Sequence, residues 1–153
     1  MLRSVVAVAV SCSVAVLVPG TTSSAAPVPE SSGTLVVNTL IGGSGESPVL
    51  EATGAFSGCV TVTQLDEDNA FVRGTAVFRG HKQIDCTGGT ILVAYNATFD
   101  KQLPGTRGSW RVVEGTGEYL GVAGGGRLAG DDTMCDPMGT DGCVLDTFTG
   151  VLT

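Results

Sequence analysis

The stretch 109–130, SWRVVEGTGEYLGVAGGGRLAG, excludes more folds than any other part of this chain. From Gly115 to Gly130 it holds seven glycines in sixteen residues. Each glycine costs about 1 kcal/mol relative to alanine within a helix, so no helix runs through the segment. It reads instead as strand, compact glycine turn, strand. The apolar run 109–113 carries the only tryptophan, Trp110, and a second short run, 127–129, follows the turn. The spacing Gly115-x-Gly117-x-x-x-Gly121 does not match a GxGxxG phosphate loop, and no βαβ pattern surrounds it. The glycines therefore read as turn geometry, and no cofactor is expected.

The same grammar recurs along the chain. Short apolar or alternating runs at 34–40, 50–64, 70–79, 83–86, 90–99, 109–113, 127–129 and 143–152 are separated by glycine-rich or acidic breaks. Eight strands with frequent turn signals, and no helical period longer than a turn, predict an all-β fold: a single antiparallel eight-stranded β-barrel or a sandwich. Alternation places Val60, Val62, Val72, Ala76, Phe78, Ile91, Val93, Tyr95, Phe99, Trp110, Val112 and Leu128 on the apolar face. In the last run either Leu145, Thr147 and Val151 or Val144, Phe148 and Leu152 face inward. The acidic segment Asp66-Glu67-Asp68-Asn69 reads as a solvated turn.

Residues 1–25 have the layout of a secretory signal peptide. Arg3 is a short positive region, 5–18 is an apolar run broken by Ser11, Cys12 and Ser13, and small residues before Ala26 allow cleavage after Ala25. A lead-in, 26–33, and one barrel domain, 34–153, would follow. The mature chain would have 153 − 25 = 128 residues, and loss of Arg3 would take the net charge from −7 to −8. Secretion is expected, with no membrane association after cleavage. The sequence has no basic run, so with this acidic balance no nucleic-acid partner is expected.

Cysteine usage agrees with export. Once Cys12 leaves with the leader, Cys59, Cys86, Cys135 and Cys143 remain, an even number that reads as two disulfides. Three connectivities are possible; Cys59–Cys86 and Cys135–Cys143, the pairs nearest in sequence, are the expected ones. With one histidine, His81, and no CxxC pair, no metal site is expected. Asp131, Asp132, Asp136 and Asp141 cluster where oxygen ligands could hold Ca²⁺, though the spacing matches no EF-hand loop and a hydrated acidic loop is the simpler reading.

Catalytic signals are sparse. His81 lies in Arg79-Gly-His-Lys-Gln, read as a turn, and no GxSxG elbow accompanies it. Glu51, Glu114 and Glu118 flank strands or the glycine turn and are weak candidates for acid–base work. Tyr95 and Trp110, with Phe78, have the size and polar tips of residues that line apolar pockets, although core packing explains them equally. Asn96-Ala-Thr98 is a glycosylation sequon that matters only in a eukaryotic secretory route.

The segment from Trp110 to Gly130, WRVVEGTGEYLGVAGGGRLAG, resembles the glycine-turn signature of allene oxide cyclase-like barrels, a superfamily that includes dirigent proteins and bacterial polyketide cyclases. The resemblance covers about twenty residues. It implies an eight-stranded antiparallel barrel, often with an apolar lumen and sometimes a homo-oligomer; it maps no catalytic group. Three functions follow as expectations. The first is an exported, disulfide-stapled barrel binding a small apolar molecule in its lumen. The second is a cyclase or isomerase, with Tyr95 and Trp110 shaping the cavity and Glu114 or Arg79 polarising the substrate. The third is a structural or surface-interaction barrel with a filled interior. Lumen volume separates the first two from the third.

Overall fold

The computed structural model describes residues 31–40, 45–100, 105–132 and 142–153. The expected leader, most of the lead-in and most of the acidic loop lie outside the described residues. The strands are β1 (Ser31–Leu40), β2 (Glu46–Gly54), β3 (Cys59–Val72), β4 (Thr75–Cys86), β5 (Gly89–Asp100), β6 (Thr106–Gly115), β7 (Gly124–Asp131) and β8 (Cys143–Leu152). Each pairs antiparallel with its neighbours, and β8 returns to β1, closing an eight-stranded barrel. Closure leaves one interior to fill, and the inward halves of the alternating strands fill it. The buried set includes Leu35, Val37, Val62, Ile84, Ile91, Val93, Trp110, Leu128, Phe148 and Leu152.

The strand number agrees with the sequence reading, but several boundaries do not. The run 50–64 is two strands, because the backbone turns through 55–58 with Gly54 and Gly58 at positive φ. The runs 70–79 and 83–86 contribute to a single hairpin instead. Asp66 to Asn69 belong to β3, paired with His81 to Phe78 of β4, so His81 also sits in a strand. The turn lies further on, at Arg73 and Gly74, both at positive φ. That conformation suits the right-handed twist of a two-residue hairpin. β1 begins at Ser31, three residues before the expected start.

Two face assignments change for related reasons. Register shifts between Cys59 and Thr61 and between Gln64 and Asp66 break the alternation in β3, and an extra residue moves a side chain to the opposite face. Val60 is therefore 58% exposed, and Val72, at the hairpin tip, is 54% exposed. In β8 the inward set is Val144, Asp146, Phe148 and Leu152, with Asp146, Phe148 and Leu152 buried.

The two ends of the barrel differ. At the closed end, the 55–58 turn inserts Phe56, fully buried, beneath Trp110, and Val122 from the 120–123 loop covers the same end. Cys59 and Cys86 face each other across β3 and β4 there and form a disulfide. In the chain-entropy view a loop of this length stabilises by about 3.5 kcal/mol. Cys143, at the other end, is disulfide-bonded as well; its expected partner, Cys135, lies outside the described residues.

The glycine-rich segment has two structural tasks. A single 3₁₀ turn, Gly117–Tyr119, follows β6, with Gly117 and Gly121 at positive φ. Beyond the turn, Trp110, Gly126, Gly150 and Gly33 lie side by side on β6, β7, β8 and β1. A Cβ on Gly150 would come within 2.6 Å of the Trp110 ring, so the row leaves space for the indole.

Candidate functional site at the open end of the barrel

Above the Trp110 layer the lumen is not filled. A cavity of about 200 Å³ opens at the end where β1 and β3 finish and β4 and β6 begin. Phe78, Ala97, Phe99, Leu128 and Val144 supply its apolar wall, and Thr39, Lys82, Tyr95, Glu67 and Asp146 its polar groups. Ring size limits what it can hold: an engineered cavity of about 150 Å³ encloses benzene, and drug-sized ligands occupy roughly 300–1,000 Å³.

The polar groups form two pairs. Lys82 projects inward from β4 among Ala76, Phe78 and Ile84 and is 2% exposed. Its Nζ donates to Asp146 Oδ2 at 2.7 Å and to Thr39 Oγ1 at 2.9 Å. Thr39 Oγ1 in turn donates to Asp146 Oδ2 at 2.8 Å. The ammonium also lies 5.4 Å from the centre of the Tyr95 ring and 5.9 Å from that of Phe148, within the range of cation–π attraction. A buried ammonium is tolerated because a carboxylate, a hydroxyl and two ring faces replace its water.

The second pair is Tyr95 and Glu67. The phenol donates to Glu67 Oε2 at 2.7 Å and accepts from Gln64 Nε2 at 2.8 Å. Burial, first, and then the adjacent Glu67 carboxylate hold the Tyr95 phenol well above its ordinary value near 10. Tyr119, beside Glu118, is raised as well, again chiefly by burial. The sign follows directly. The folded state keeps these protons more tightly than the unfolded chain, so their contribution is full below pH about 10 and is lost as pH rises beyond it. In a Tyr119→Phe variant, where Tyr95 is the one tyrosine left, an absorbance titration at 295 nm should therefore show no tyrosinate step near pH 10 while the protein stays folded. A step of one tyrosine at that pH would contradict the buried Tyr95–Glu67 arrangement. Gln64 Oε1 is buried and lacks a hydrogen-bond partner among the described residues.

Of the expected lining residues, Tyr95 and Phe78 reach the cavity. Trp110 does not line it: the indole is 3% exposed and packs edge-on against Phe56 and Phe148, at 5.7 and 6.3 Å between ring centres. The weak catalytic candidates are also elsewhere. Arg79 is exposed on the outside of β4, and Glu114 is exposed near the closed end of β6. Neither is among the residues of the cavity, because Arg79 has the outward parity of β4 and Glu114 sits at the far end of its strand. His81, also outward, has its Nδ1 2.9 Å from Asp66 Oδ2 on the surface.

Sequence reasoning missed Lys82, Asp146, Thr39 and Glu67. One signal was available: Lys82 and Asp146 each occupy an inward slot of an otherwise apolar alternation, and they carry opposite charges. Comparison of the chain with family models, with curated proteins and with solved structures found no match in any of the three.

Proposed function

We propose that this barrel binds a small, mostly apolar molecule of about single-ring size at its open end, with one polar group directed to the Lys82–Asp146 and Tyr95–Glu67 pairs. The observation that carries this reading is the unfilled 200 Å³ above a tightly packed lower core. A purely structural barrel has no reason to leave that space or to bury an ion pair beside it. Export fits the same reading, since disulfides persist in oxidising compartments and residues 1–25 resemble a leader. The glycine-turn resemblance supports placing the chain among allene oxide cyclase-like barrels.

The test is a titration with benzyl alcohol followed by backbone NMR, alongside the variant Ala97→Phe. Ala97 is buried on the cavity wall, and a phenyl group there occupies the space. The expected result is shifts concentrated around Phe78, Ala97 and Leu128, and affinity at least tenfold weaker in the variant. Shifts scattered over the surface, or unchanged in the variant, would refute the site.

A second reading, an isomerase or cyclase, is favoured by one feature. Two hydrogen-bonded pairs, each with a donor and a carboxylate, border one apolar cavity, an arrangement suited to moving a proton on a substrate shielded from water. In that case the acid–base groups are those four, not Glu114 or Arg79.

A further inference from the structure

The outside of the barrel holds a feature that the linear sequence hides. Four of the chain's eight basic residues, Arg79, Arg107, Arg111 and Arg127, are exposed on the outer face of β4, β6 and β7, with β5 between the first two of these strands. The register brings them together. Arg79 pairs with Asn96, Asn96 with Ser109, and Ser109 with Arg127, forming one row across four strands. Arg107 and Arg111 lie two residues to either side of Ser109. At strand spacings of about 4.8 Å and a rise of about 3.3 Å per residue, the four arginines mark the corners of a diamond about 14 Å across and 13 Å long. None of them makes an ion pair among the described residues.

Between Arg79 and Arg111, on one side of the diamond, lies a shallow depression of about 230 Å³ bordered also by Asn96, Ser109 and Ala94; Arg107 and Arg127 flank it without lining it. Carboxylates lie only around it. Asp68 is opposite Arg79 in the register without bonding to it, Asp66 is engaged with His81, and Asp131 and Glu114 sit toward the strand ends. A chain of net charge −7 thus has one face on which four guanidinium groups stand outside any ion pair among the described residues, with Asp68 the nearest carboxylate in the register.

We infer that this face binds an acidic polysaccharide, whose carboxylate or sulfate groups meet the arginines and whose hydroxyls meet Asn96 and Ser109. Guanidinium forks suit both anions in bidentate geometry. The observations disfavour the other polyanions. Duplex DNA carries a charge every 1.7 Å or so, so the overall acidity repels it more strongly than a glycan with one carboxylate per sugar, and among the described residues the face has no exposed aromatic ring for base stacking. A lipid surface would need apolar side chains to insert, and only Val113 borders Arg111 on this face. The inference is independent of the lumen site.

Calorimetric titration of the full chain in about 50 mM salt tests it, with polygalacturonate and dextran sulfate as acidic probes and neutral dextran and a DNA duplex as controls. One or both acidic glycans should bind, dextran should not, and DNA should bind at least tenfold more weakly. The double variant Arg79→Gln, Arg111→Gln should lose at least tenfold in affinity at an unchanged melting temperature, and Arg107→Gln, Arg127→Gln should do the same from the other two corners. The pair Arg79→Lys, Arg111→Lys should restore only part of the loss. Absence of binding to both acidic glycans, equal binding to DNA, or full affinity in the Gln variants would overturn the inference. So would sedimentation showing that the arginines instead hold two copies together, lost in the Gln variants, with no glycan bound.

Discussion

Replacing Asp146 with alanine should destabilise the barrel by about 3–5 kcal/mol, the cost of leaving a buried charge without its partner. Lys82 is 2% exposed, and its ammonium has Asp146 Oδ2 and Thr39 Oγ1 as hydrogen-bond acceptors. Without the carboxylate, Thr39 alone remains, and Thr39 also loses the oxygen to which it donates. The joint variant Lys82→Met, Asp146→Leu removes both charges and should lie within about 1 kcal/mol of the parent, or be more stable, because it avoids desolvating two ions. Urea unfolding of the three proteins measures both numbers. A single variant as stable as the parent would mean that water from the cavity reaches the ammonium, and the pair would then not be a buried one. The recovered stability of the joint variant also makes it the proper background for binding studies, since it is folded but has lost the polar floor of the cavity.

Trp110→Ala should cost a similar amount, about 3–5 kcal/mol, for a different reason. The indole is the central block of the lower core, wedged between Phe56 and Phe148 and lying against the glycine row, with Nε1 donating to the Thr149 carbonyl at 3.3 Å. Its neighbours are held by barrel closure and cannot collapse far into the space, so both the transfer and the cavity contributions apply. Ligand affinity per folded molecule should change little, because the cavity lies above this layer. If the variant kept its melting temperature and instead lost benzyl alcohol binding, Trp110 would be a pocket wall after all.

Architecture was more legible in the sequence than the site. Regular turn signals and alternation were enough for an eight-stranded antiparallel barrel, because closure demands little more than inward and outward halves. The alternation failed at β3, where two register shifts reverse parity over a few residues, and nothing in Cys59 to Asp66 announces a bulge. Phe56 was hidden because 50–64 reads as one strand-like run, whereas the chain turns at 55–58 and buries the ring. The polar floor was obscured by distance along the chain: Thr39, Glu67, Lys82 and Asp146 come from four strands and meet only after closure. The arginine face was invisible for the same reason, its members spread from Arg79 to Arg127 with no basic run among them.

Among the described residues, the junction between β2 and β3 is tacked over three residue pairs, Glu46 to Pro48 against Thr61 to Thr63, with one further bond from the Gln64 amide to the Gly45 carbonyl. Every other junction is laced over at least five. Mechanically this is close to a slit tube. Such a tube keeps its bending stiffness but gives up much of its resistance to torsion, and it twists by sliding one lip past the other. Here the lips are β2 and β3, and Glu67 of the cavity sits on β3 beyond the paired stretch Thr61 to Thr63. Glu67 of the cavity wall thus stands beside the seam with the fewest strand pairs among the described residues, while the disulfide at Cys59 and Cys86 holds the foot of that same strand.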